Sequence, residues 1–366
     1  MAAEVFLWRL PSQGGADLAP ADPRPGLRRL LQATGPHPRG AGGGPWVVKV
    51  HVGPPGRPAG IAPAWALEAA TSLVGARGGA VTTDTLSVST RGLETTQALE
   101  ATARAKGFGA LPDLPFVVAD DPGGPPALPV PGQPGRRLAG HALAGILRGA
   151  GGLCVLNPVR AHPHLGAVGA VATLGLDLAD RLAKLSLHQG IRPQVDTPLC
   201  AGCGSCLDVC LYDAIVIRAG RATIDHNLCT GCGECMGVCF MAGIAPEEAG
   251  GLQAFQEAVA EAAAGSAPAL PVGAAGQSGA IYVNFLVQLS GPVTASKTRR
   301  RLPIAGIGLV ASRDPVALDA ATFELLGNRL SAPLAEWTGY AQDPGPLLAR
   351  AEALGLGSRA HRLREV

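Results

Sequence analysis

Along the first half of the chain, short continuous apolar runs alternate with stretches in which apolar residues recur every three or four positions. Residues 3–9 (AEVFLWR) and 46–52 (WVVKVHV) predict strands, with a helical piece at 26–33 between them. Helix-like 64–76, 93–106 and 138–149 then alternate with strand-like 80–84, 115–119 and 152–157. Parallel strands need crossover connections, so this alternation predicts an α/β fold on a mostly parallel sheet. Tracts rich in Pro and Gly at 35–45, 53–63 and 121–135 read as loops. The pattern breaks after residue 196 and resumes beyond 250. There it predicts a helix at 252–264, a loop at 265–279, the strand 281–289 (IYVNFLVQL), an apolar stretch at 303–311 and two C-terminal helices. The organisation expected is an α/β domain in two parts, residues 1–195 and 249–366, interrupted by a different unit at 196–248.

Composition narrows the class. Hydrophobic residues make up 47% of the 366 residues and charged residues 16%, with a net charge of +2, which excludes a disordered chain and a charge-saturated nucleic-acid binder. No apolar run reaches the length of a membrane span, and the first thirty residues mix acids and prolines where a signal peptide needs an apolar core. A cytoplasmic protein is expected. Of nine cysteines, eight lie within forty residues, which in a reducing compartment points to metal ligation ahead of disulfides.

Those eight form two identical runs. Cys200, Cys203, Cys206 and Cys210 are spaced C-x2-C-x2-C-x3-C, and Cys229, Cys232, Cys235 and Cys239 repeat the spacing 29 residues later. Three thiolates two residues apart can wrap three corners of a cubane, while the fourth points away to the other cluster. The expected ligand sets are therefore Cys200, Cys203, Cys206 and Cys239 for one 4Fe-4S cluster, and Cys229, Cys232, Cys235 and Cys210 for a second. Structural zinc sites use separated C-x2-C pairs instead. Bacterial ferredoxin runs end in Cys-Pro, whereas Leu211 and Phe240 follow the last cysteines here and keep an N–H that could donate to a cluster sulfur. Residues 196–250 hold seven acids against two arginines, a local charge of −5 that leaves +7 on the remainder.

The segments WVVKVHVG (46–53), TDT (83–85), VVAD (117–120), LGAVGAVATLG (165–175), RLAKLSLHQGIRP (181–193), YVNFLV (282–287) and IGLVASRDPVALDAA (307–321), with the cysteine repeat, run in order along the chain. Together they resemble the Fe-S centre proteins of the domain of unknown function 362 family. The resemblance implies an α/β domain carrying an inserted two-cluster ferredoxin-like module in a cytoplasmic protein. Several ionisable positions of the family depart here: Pro158, Arg160-Ala161-His162 and Ala172-Thr173 stand where the family tends to carry His, Lys-Gly-His and Lys-Asn, Gly53-Pro54-Pro55 replaces Gly-Glu-Lys, and Leu289-Ser290-Gly291-Pro292 replaces a Cys-Asp-Cys. Lys49, His51, Asp84, Thr85, Arg91, His162, His188, Asn284 and Asp314 remain.

Lys49 and His51 alternate on one strand, and with Asp84 and Asp120 at neighbouring strand ends they would face the crevice where open α/β sheets bind ligands. The catalytic candidates are thus Lys49, His51, Asp84 and His162, against the plainer reading of a structural ion pair. His162, His164 and His188 are more ordinary as loop or core histidines than as a metal site. Asp314-Pro315 reads as a helix start, Cys154 as a buried small hydrophobe, and Lys297 with Arg299, Arg300 and Arg301 as a solvated loop. Gly306-x-Gly308 and Gly273-x-x-Gly276 lack the context of a nucleotide fingerprint. The leading expectation is a redox protein relaying single electrons through two clusters to a partner with a basic docking face, or to a site in the α/β domain. The alternatives are an oxidoreductase acting in the crevice, which the lost pocket residues disfavour, and a structural or assembly metalloprotein. No nucleic-acid partner is expected.

Overall fold

The computed structural model describes residues 2–11, 22–35, 43–57, 59–74, 79–111, 113–131, 138, 140–272, 278–287, 306–338, 340 and 342–366. One eight-stranded sheet organises them, in the order His361–Glu365, Ala3–Arg9, Gly308–Ser312, Ala280–Leu286, Gly152–Pro158, Trp46–Lys49, Ala80–Asp84 and Phe116–Val118. The strand Gly308–Ser312 runs antiparallel to both of its neighbours, and every other pairing is parallel. The class is α/β with a mixed, mostly parallel sheet. The central strands are buried on both faces, which is why they read as continuous apolar runs.

Successive side chains point to opposite faces and feed two cores. Val47, Val155, Tyr282 and Val310 pack with the helices Gly251–Ser266, Pro315–Leu330 and Gly345–Ala353 on one face. Trp46, Val48, Leu156, Phe285 and Leu309 pack on the other with Arg24–Ala33, Pro63–Val74 and Thr96–Ala105. Local chemistry starts several helices: Asp314 accepts from the backbone N–H groups of Val316 and Ala317, both at 2.9 Å, ahead of Pro315, and Asp180 accepts from Ala183 N at 2.8 Å. Cys154 is buried in the central sheet, and burial pushes its thiol up to about 12.

A third, smaller core belongs to the cysteine-rich segment and comprises Cys206, Ile215, Ala222, Cys235 and Ile244. This segment opens and closes on an antiparallel pair, Pro193–Val195 with Ile244–Pro246. Between them lie two five-residue helices, Ser205–Val209 and Glu234–Val238, and the hairpin of Ile215–Arg218 with Arg221–Ile224.

Two expectations need correction. Residues 138–149 are not a helix: Gly140–Leu143 is a strand and Gly145–Leu147 a single 3₁₀ turn. The alternation of exposed and buried positions in GHAL has period two, and a Cβ on Gly145 would lie 2.0 Å from the carbonyl oxygen of Pro125. The helix expected to end at 264 continues to Ser266, and a C-terminal strand, His361–Glu365, was not anticipated. The Lys297/Arg299–Arg301 run, Gly273, Gly276 and residues 289–292 lie outside the described residues.

Candidate functional site

Two neighbouring features carry the chemistry-bearing residues. The first is the cysteine segment. Cys200, Cys203 and Cys206 line one small cavity together with Cys239, which arrives from the second run. Its remaining walls are glycines 202, 204 and 243, the apolar side chains of Ala201, Ile217, Ala222, Phe240, Met241 and Ile244, and Ser205. Ala222 N donates to Cys200 Sγ at 3.3 Å, and Ser205 Oγ lies 3.5 Å from Cys203 Sγ. In the second run Gly231 N donates to Cys229 Sγ at 3.4 Å. Grouped thiols in an apolar pocket with N–H groups aimed at sulfur are the donor set an iron–sulfur cluster takes, so the residues present fit the group. Among the described residues, no three His, Cys, Asp or Glu are arranged to hold a single metal ion.

The second feature is a cleft of about 410 Å³ at the carboxyl ends of the parallel strands. Its position follows from topology. From Trp46–Lys49 the chain moves outward to Ala80–Asp84 and Phe116–Val118, whereas from Gly152–Pro158 it moves the opposite way to Ala280–Leu286. The helices therefore diverge between Trp46–Lys49 and Gly152–Pro158, the place where open α/β sheets take ligands. His51, Asp84, Thr85, Arg160 and Asp177 line the floor and Lys184 and His188 one side. The cysteine segment lines it too, through Asp208, Val209, Leu211 and Glu234.

Lys49, His51 and Asp84 do gather, with unequal access. Asp84 accepts from Lys49 Nζ at 2.6 Å, from Val52 N at 2.8 Å and from Thr85 N at 2.8 Å. Burial alone would push this carboxyl up, but Lys49 and His51 outweigh it and hold it below the usual range. Lys49 is buried beneath the floor, its ammonium also donating to Val50 O at 2.9 Å. His51 exposes a quarter of its side chain to the cleft, its Nδ1 4.0 Å from Asp84 Oδ2. Burial, reinforced by Arg160, lowers its pKa to about 3, so the imidazole is neutral at physiological pH.

Asp120 does not reach the cleft: it accepts from Leu86 N at 2.8 Å and sits 3.7 Å from Lys184 Nζ. His162 and His188 line the cleft and, with the buried His164, surround Phe255 at ring separations of 6.4, 4.9 and 5.0 Å. Burial lowers the pKa of all three imidazoles, His188 to about 4. Asp314 and Asn284 serve the scaffold, the first as a helix cap and the second in a buried chain described next.

Sequence reasoning missed the Arg160–Asp177 pair, at 2.6 Å across the cleft floor. The available signal was position, because Arg160 lies two residues beyond the carboxyl end of Gly152–Pro158. Asp177 ends a single π-helical turn, Thr173–Asp177, and heads a buried polar chain. Thr173 Oγ1 lies 3.3 Å from Asp177 Oδ2 and donates to Asn157 Oδ1 at 3.0 Å, and Asn157 Nδ2 donates to Asn284 Oδ1 at 3.0 Å. Asn284 Nδ2 then donates to Asp319 Oδ1 at 2.9 Å, and Asp319 accepts from Ala170 N and Val171 N.

The family model described as domain of unknown function (DUF362) matches residues 47–324, a span that takes in both cysteine runs and every cleft-lining residue but Tyr340, and leaves out the strands Ala3–Arg9 and His361–Glu365. The chain belongs to the DUF362 family. No curated protein matches this DUF362 chain. Among solved structures, the lactate racemase apoprotein from Thermoanaerobacterium thermosaccharolyticum is similar at 11% identity and a TM-score of 0.31, covering 66% of this chain and 48% of the racemase. The DUF362 chain thus spans about half the length of that protein.

Proposed function

We propose that this protein is a cytoplasmic iron–sulfur redox protein whose segment 196–248 is a ferredoxin-like module. Cys200, Cys203, Cys206 and Cys239 would hold one 4Fe-4S cluster, and Cys229, Cys232, Cys235 and Cys210 the second. The observation that carries this reading is the shared cavity of Cys200, Cys203 and Cys206 with Cys239, a residue 33 positions further along the chain than Cys206. Such clusters, when bound, supply one-electron transfer. The chain's own residues supply the apolar walls that keep water from the sulfurs and the N–H groups of Ala222 and Gly231 that favour the reduced form.

Anaerobic preparation is expected to yield a brown protein with about eight irons and eight sulfides, two per cysteine pair in the double run. A colourless, zinc-replete protein would overturn the reading. Cys210→Ala is expected to remove the cluster of the second run, because the fourth ligand crosses over. Loss of the first-run cluster alone, followed by electron paramagnetic resonance, would refute the crossed assignment.

A second reading rests on a separate observation: the cleft is lined by residues of the α/β domain and of the cysteine segment together. In this reading the cleft is the site of an oxidoreductase fed by the clusters. His51 is a neutral hydrogen-bonding group there, Asp84 a fixed carboxylate, and Arg160 a guanidinium anchored by Asp177. Shifts in the resonance spectrum of the reduced clusters on adding candidate small molecules, lost on substituting His51, would favour it.

A further inference from the structure

The two cysteine runs are identical in spacing, yet the fold treats their sites differently. The loop of the second run is pressed into the α/β domain. A Cβ on Gly231 would lie 2.1 Å from the carbonyl oxygen of His188, and one on Gly233 would lie 2.0 Å from His164 Cε1. His164 Nε2 lies 3.0 Å from Gly231 O, and Gly237 backs onto the hydroxyl of Tyr340, itself a cleft residue. The equivalent positions of the first run do not touch the α/β domain: a Cβ on Gly202 would lie 2.2 Å from the carbonyl oxygen of Gly220 within the cysteine segment, one on Gly204 would meet nothing within 4 Å, and Cys203 is exposed.

The open site is rimmed by large apolar side chains. Leu199, Leu207, Phe240 and Met241 are 44%, 43%, 57% and 43% exposed, each within two residues of a cysteine of the first site, and Phe240 and Met241 line its cavity. A cluster of exposed apolar groups over one site marks a surface that another molecule covers, whereas among the described residues Leu228, 50% exposed, is the only such side chain within two residues of Cys229, Cys232, Cys235 or Cys210. The charge of residues 196–250, −5 against +7 on the remainder, selects a cationic occupant. The charge of Arg221, whose guanidinium donates to the carbonyl of Cys200, is already counted in that −5.

We propose that the site of Cys200, Cys203, Cys206 and Cys239 is the docking pole for a cationic one-electron carrier protein, which seats an apolar contact on Leu199, Leu207, Phe240 and Met241. The site of Cys229, Cys232, Cys235 and Cys210 is the inner pole, set against the buried His164 and the cleft residue His188. This assignment rests on the iron–sulfur reading. The exchange at the docking pole is outer-sphere: the reduced protein loses one electron and the carrier gains it, with no bond made or broken and no proton moved.

Ferric cytochrome c, a cationic one-electron protein, is a suitable probe, and hexaammineruthenium(III), a small cation that needs no apolar seat, is its control. With the anaerobically reduced holoprotein, the double variant Leu199→Ser, Leu207→Ser, whose side chains lie outside the cavity lining, is expected to slow cytochrome c reduction by about fivefold or more. Reduction of the ruthenium complex should stay within about twofold, as should both rates in the control variant Leu182→Ser, Leu228→Ser, whose second site adjoins Cys229. Cytochrome c is also expected to protect amides of residues 199–207 and 239–243 from hydrogen exchange, and not those around 228–235. A full complement of iron with an unchanged double variant, or protection centred on residues 228–235, would overturn the docking assignment alone. A preparation without iron and sulfide overturns the iron–sulfur reading and this assignment with it.

Discussion

Glycines 204 and 233 occupy the same place in the two cysteine runs and are indistinguishable in the repeat, but their surroundings differ. Both backbones are left-handed, with φ of +82° and +79°, so alanine at either position costs roughly 1–2 kcal/mol of backbone strain. At 204 the strain is the whole cost. At 233 the new methyl must also enter the imidazole of His164, which is buried against Phe255 and His188 and has nowhere to move. Gly204→Ala is therefore expected to keep its full iron content, while Gly233→Ala falls towards about half, having lost the second site. Equal iron in the two variants would show that the His164 contact does not constrain that loop. The sequence made the Lys49–Asp84 pairing legible because both residues end neighbouring strands of obvious pattern. It did not make Arg160–Asp177 legible, because Asp177 sits in a π-helical turn whose register no apolar periodicity announces.

The elements that were legible are those whose apolar pattern is strong, such as Trp46–Lys49, Ala80–Asp84 and Ala280–Leu286, all buried on both faces. The strand missed at His361–Glu365 is the opposite case: HRLRE is charged and almost wholly exposed, and becomes a strand only because it pairs in parallel with Ala3–Leu7. Charged residues suit a sheet edge, where they discourage pairing with a second molecule. Arg9 with Glu365 at 2.6 Å and Arg364 with Glu4 at 2.7 Å bridge the two strands at the surface, where such pairs add little. Removing residues 359–366 is expected to cost about 2–4 kcal/mol through the lost ladder bonds. It also makes Ala3–Arg9 the edge, so heating should produce earlier light scattering than in the full chain. An unchanged denaturation midpoint would mean that the strand contributes nothing to the sheet.

At the scale of the whole molecule, the fold keeps a set of ionisable groups in their uncharged form, and stability must therefore depend on pH. Burial lowers the pKa of His51 to about 3 and those of His141 and His188 to about 4, against an ordinary value near 6.5 in the unfolded chain. Between those limits the unfolded chain binds protons that the folded protein excludes. Stability is thus full above about pH 6.5 and falls as pH drops, by up to about 1.4 kcal/mol per pH unit for each histidine. Asp319 works in the other direction. Burial raises its pKa to about 6, so the folded protein takes up its proton first and gains stability as pH falls through that value. Five histidines, His162 and His164 included, against Asp319 and against Glu234, whose pKa burial raises to about 7, leave a net loss, and urea midpoints are expected to decline from about pH 6.5 to pH 5. Replacing His141, which lies outside the cleft lining, by phenylalanine removes one titrating group and should flatten that decline by about a third of its slope. A midpoint that is constant or rises towards pH 5 would show that these imidazoles protonate without unfolding, and that the cleft around His51 and His188 admits water and charge more freely than its packing indicates.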